Sequence, residues 1–104
     1  MHIVVLVTTK NAREANKISK KLLEEKLIAC ANIIKGIRSV FWWQGKIDTA
    51  QEVLLVLKTK RHLFKKLITT VRSIHSYDVP EIIALPIIEG DGDYLRWLDT
   101  SVGG

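Results

Sequence analysis

The chain has 104 residues, 47% hydrophobic and 26% charged, with a formal net charge of +5. That length fits a single domain, residues 1–104, and leaves no room for a second. Cys30 is the only cysteine, which excludes an intrachain disulfide and a four-cysteine zinc site.

No apolar run approaches the roughly 18 residues of a membrane span. The opening stretch His2–Val7 is too short for a signal peptide and no basic segment precedes it, so a cytoplasmic protein without membrane partners is expected. The positive charge is divided. Lys10, Arg13, Lys17, Lys20 and Lys21 follow one predicted helix, and Lys58, Lys60, Arg61, Lys65 and Lys66 surround another. Such spacing describes solvated helix faces; a nucleic-acid footprint is the competing reading.

Residues 2–8 form a β-branched apolar run without alternation, the pattern of a central strand buried on both faces. Asn11 is a good N-cap with Glu14 three residues on, and Ala12, Ala15, Ile18, Leu22 and Leu23 then recur at helical spacing through Lys26. Leu27–Ile34 and Ile37–Trp43 read as one long strand bent or bulged near Gly36. Gln44-Gly45-Lys46 makes the turn, with a tip extending as far as Asp48-Thr49 as the alternative. Glu52–Thr59 is the third strand, and Thr59 is expected to cap the next helix, which ends near His75. The last strand covers Glu81–Ile88, where Pro86 implies an edge or a bulge. A short helix carries Tyr94, Leu95, Trp97 and Leu98, and the Gly-Gly terminus is expected to fray. The order is strand, helix, strand, strand, helix, strand, with a helix appended. It predicts an α+β, ferredoxin-like split βαβ sandwich with an antiparallel sheet, helices on one face and an extra C-terminal helix.

Phe41-Trp42-Trp43 points to an oligomer. Successive strand residues face opposite sides, so Trp42 and Trp43 cannot enter one core, and an aromatic on an open face needs a partner surface. Ile28–Trp43, if straight, would reach roughly 50 Å and expose an unpaired edge. The alternative is an arm folded back at Gly36.

Five segments carry a family resemblance: Leu27–Asn32, Phe41–Ile47, Leu57–Thr59, His75–Ile82 and Tyr94–Leu98. In this order and spacing they resemble the CutA family of divalent-cation tolerance proteins along almost the entire chain. The resemblance implies a PII-like homotrimer with strands paired across subunits. It also implies a role in tolerance of divalent metals, copper above all, without catalytic activity. No firm cofactor follows; copper(II) or another divalent cation, weakly bound, is the implied ligand. Phe41 and Trp42 are then expected at the trimer interface, and Trp43, Lys58, Tyr77 and Asp78 around an intersubunit cleft. The family usually reads His-Pro-Tyr where this chain has His75-Ser76-Tyr77, a change expected to free a backbone donor and loosen the turn.

His75, Glu81 and Cys30 are the candidate metal ligands. Imidazole suits copper, nickel or zinc; a histidine favouring a helix C-terminus is the plainer reading of His75. Cys30 lies between Ala29 and Ala31 in an apolar strand, where free cysteines commonly serve packing. His2 and His62 lack neighbours at ligand spacing. Lys58 either holds a small anion with an aromatic, as in a PII-like sensor, or pairs with Glu81 across an interface. Thr8–Ala12 offers no glycine-rich phosphate cradle, which weighs against an acylphosphatase-like enzyme. Val53–Leu57 lacks the aromatics of an RNA-recognition strand.

Overall fold

The structure, a computed structural model, describes residues 1–104. The β-branched run near the N-terminus forms β1 (His2–Thr9), which takes a central place in a four-stranded antiparallel sheet. The remaining elements are α1 (Ala12–Glu24), β2 (Cys30–Trp43), β3 (Lys46–Lys60), a 3-10 turn (Arg61–Leu63), α2 (Phe64–Ile74), β4 (Ile82–Pro86) and α3 (Gly92–Ser101). The strand order β2-β3-β1-β4 puts β1 and β3 inside and the proline-bearing β4 at an edge, as the apolar pattern requires.

Alternation along the strands divides the molecule into two faces. Ile3, Val5, Val7, Val53, Leu55 and Leu57 point to one side and join Ala15, Ile18, Leu22, Leu67 and Val71 of α1 and α2, with Leu27, Ile28 and Leu63, in a 14-residue core. Burial of each large aliphatic side chain there contributes about 1.5–3 kcal/mol relative to exposure. The opposite side carries Val4, Leu6, Leu54 and Val56, all half-buried, with Ile34, Ile83 and Leu85 exposed at 43%, 49% and 51%. Only α3 reaches this second face, at one end. His2 and Lys60 project there by alternation, and both meet Asp99 of α3, at 2.8 Å and 3.2 Å. Leu98 of the same helix is fully buried yet stands outside the main core.

The β2–β3 hairpin is longer than the sequence suggests. Pairing runs from Cys30↔Lys58 to Trp43↔Lys46, with a bulge between Ile34 and Ile37. Gly36 takes φ +78° at that bulge, and Gln44 and Gly45 take φ +50° and +79° at the turn. Two successive positive φ values make the tight type of turn whose twist matches a hairpin. The arm therefore continues outward instead of folding back, in a molecule measuring 44 × 26 × 22 Å. Trp42 and Trp43 stand at its tip, 73% and 50% exposed.

Three local expectations are corrected. Thr59 does not cap α2: its hydroxyl donates to the Leu27 carbonyl at 2.6 Å from inside β3, and α2 begins after the 3-10 turn. The terminus is held rather than frayed, since the Gly103 N–H donates to the Lys26 carbonyl at 2.8 Å. The last strand stops at Pro86, two residues short of Ile88.

Candidate functional site

A concavity of about 660 Å³ lies where the hairpin passes the segment joining α2 to β4. The hairpin contributes Phe41, Trp43, Asp48 and Glu52; the joining segment contributes Tyr77, Asp78 and Glu81; Thr8 lies at the end of β1. Antiparallel register explains part of the first group, because Phe41 pairs with Asp48, and Trp43, two residues further along, lies on the same face. Four carboxylates thus line the cleft, and no Lys, Arg or His does.

Glu52 is 9% exposed and accepts a 2.9 Å hydrogen bond from the Tyr77 hydroxyl. Burial, then the hydrogen bond and the negative charge of Glu52, push the Tyr77 phenol far above its ordinary range, so it acts as a neutral donor. Asp48 and Glu52 were absent from the sequence-derived site. The available signal was an acid directly before the apolar run Val53–Leu57, inside the strand.

The sequence-derived residues fall in four places. Trp43, Phe41, Tyr77, Asp78 and Glu81 meet at the cleft, while Trp42 projects from the arm. Lys58 does not join them. It pairs across β2–β3 with Cys30, with Nζ 3.9 Å from the thiol and in contact with the Asn32 side-chain oxygen. His75 stands behind the cleft with both ring nitrogens engaged: Nε2 is 2.8 Å from the Thr8 carbonyl, and Nδ1 accepts the Tyr77 N–H at 3.0 Å. A carbonyl only accepts, so Nε2 carries the proton and the ring is neutral. The single chain does not bring His75, Glu81 and Cys30 together, and it gathers no cluster of three or more His, Cys, Asp or Glu fit to hold a metal.

The backbone donor expected to be freed at Ser76 is engaged. The Ser76 N–H donates to Glu14 Oε2 at 2.9 Å, while Glu14 Oε1 accepts from the Lys10 N–H at 3.1 Å. Asn11 Oδ1 caps α1 by accepting the Glu14 N–H at 2.8 Å. Burial pushes the Glu14 carboxyl up, but the hydrogen bonds from Ser76 and Lys10 outweigh it and leave the group below its ordinary value. The Asp99 carboxyl is also depressed, by His2 first and then Lys60. A carboxyl depressed in the folded state stabilises above its unfolded pKa, and that contribution disappears as pH falls through the folded value. Stability is therefore expected to decline as pH drops below about 4.3, the ordinary carboxylate value. Urea midpoints of wild type and Glu14→Gln between pH 7 and pH 3 check this. The variant should show a shallower acid limb, and equal slopes would contradict the assignment.

The family of CutA1 divalent ion tolerance proteins matches residues 3–101. The chain belongs to the CutA1 family. The Thermus thermophilus divalent-cation tolerance protein CutA is 48% identical over 99% of this chain and 100% of its own length. The solved structure of the protein from that organism superposes with a TM-score of 0.97. The Archaeoglobus fulgidus CutA structure, described as periplasmic, is 42% identical, covers 99% of this chain and all of its own, and gives a TM-score of 0.96. Rice CutA 1, described as chloroplastic, is 48% identical over 95% of this chain, which spans 56% of the rice protein. CutA relatives thus occur in more than one compartment. No helix of this CutA1 member is long and apolar enough to cross a membrane.

Proposed function

We propose that this chain acts as a homotrimeric divalent-cation binding or signalling protein without catalytic activity, and that the acid-lined cleft is where the cation is held. The observation that carries the reading is the composition of that cleft: Asp48, Glu52, Asp78 and Glu81 with no cationic side chain among its lining residues. Carboxylate oxygens are hard donors that suit divalent cations, whereas copper(II) prefers nitrogen. No three of these groups converge within one chain, so binding of copper(II) is weak and a neighbouring copy must supply further donors. Family membership supports the link to divalent ions, and the uncovered apolar sheet face supports the assembly. Cytoplasmic placement belongs to the same proposal. A PII-like sensor of small anions draws no support from this cleft, because Lys58 stands elsewhere.

Calorimetric titration with copper(II) tests the reading. Wild type is expected to saturate, with affinity reduced at least tenfold in Glu52→Gln and in Glu81→Gln, as removal of a ligand or its neighbour entails. Equal affinity in all three proteins would remove the cleft as the binding site.

A further inference from the structure

His75 touches two residues that line the cleft without lining it itself. Its Nε2–H donates to the Thr8 carbonyl at the end of β1, and its Nδ1 accepts the N–H of Tyr77. The His75 and Tyr77 rings lie 4.8 Å apart, tilted by 51°. The residue between them is fixed separately, since the Ser76 N–H ends on Glu14, itself 8% exposed and bonded to the Lys10 N–H. His75 and Ser76 are therefore anchored to β1 and to the start of α1, and Tyr77 is held through His75. The last of them presents its hydroxyl to Glu52.

We propose that His75, with Glu14, is a latch that positions Tyr77 and through it Glu52, so that His75 is a positioning residue of the cleft rather than a metal ligand. The proposal rests on the cleft being the cation site. It requires His75 to stay in the Nε2–H form whether or not a cation is bound, because Nδ1 has only one lone pair and Tyr77 uses it. It also separates the two nitrogens functionally. Asparagine at this position places a carbonyl oxygen near the Nδ1 site and keeps an acceptor for the Tyr77 N–H, whereas alanine keeps none.

The test combines histidine 1H–15N NMR with zinc(II) titration of wild type, His75→Asn and His75→Ala. In wild type, the His75 nitrogens should report the Nε2–H tautomer and stay unshifted at zinc saturation. A zinc-induced shift at Nδ1 would make His75 a ligand and overturn the latch. Zinc affinity should fall about tenfold in His75→Ala, the loss expected for a residue supporting a ligand, and return mostly in His75→Asn. Alanine binding as wild type, or asparagine no better than alanine, would equally overturn it. If wild type binds no zinc, the cleft reading fails alone. Amide exchange then judges the latch: Ser76 and Tyr77 should be protected in wild type, with Tyr77 protection lost in His75→Ala, and unprotected amides in wild type would refute it.

Discussion

A chain carrying Ile83→Glu and Leu85→Glu is expected to sediment as an 11.8 kDa monomer where wild type sediments as a trimer. Both side chains are about half exposed on the edge strand β4, on the face that α1 and α2 leave uncovered. Their neighbours across the sheet are Leu6 and Val4, which continue the apolar surface toward Val56. A contiguous face of this kind on a small domain marks an interaction site. Each glutamate would have to be buried against a second apolar sheet, at a cost of several kcal/mol per unpaired ion. Neither contacts the helix-side core, so the monomer fold should survive, as circular dichroism would verify. A double variant retaining the wild-type mass would place the interface elsewhere, and a monomeric wild type would end the trimer proposal.

Tyr77→Phe is expected to destabilise the protein by about 1.5–3 kcal/mol, the range for a hydrogen bond to a charged group. The change removes only the hydroxyl that reaches Glu52, leaving a buried carboxylate without that donor. Urea unfolding at equal protomer concentration measures it, since assembly makes apparent stability concentration-dependent. In a double-mutant cycle, Glu52→Gln should make Tyr77→Phe much less costly. A loss below about 0.5 kcal/mol, the range of an ordinary surface change, would show that the contact does not organise the cleft.

The apolar run of β1 and the proline in β4 pointed to the sheet order, because an inner strand and a missing N–H each have one place in this topology. The expected burial of β1 on both faces is corrected, since Val4 and Leu6 are only half-buried on the open side. The exposed tryptophans were legible for a similar reason: alternation alone forbids adjacent residues a common core. Asp48 and Glu52 were harder to see. Their place depends on the hairpin register between the turn and the Ile34–Ile37 bulge, which a third strand read as starting only at Glu52 conceals. The separation of Lys58 from Trp43 follows from that register too. Trp43 faces Lys46, and Lys58 lies twelve positions further along β3, roughly 40 Å away along an extended strand. His75 was legible as a residue of interest but not in its hydrogen bonding. Its ring orientation is set by Thr8, 67 residues earlier in the chain. The same holds for Ser76: sequence shows a freed donor, and only the tertiary fold shows Glu14 receiving it.

Crystals soaked in copper(II), with diffraction measured at the copper absorption edge, show directly where the metal sits. An anomalous peak within coordination distance of carboxylate oxygens from Asp48, Glu52, Asp78 or Glu81 is the expected result. Peaks confined to other sites, or none in the cleft at saturating copper, would contradict cation binding there.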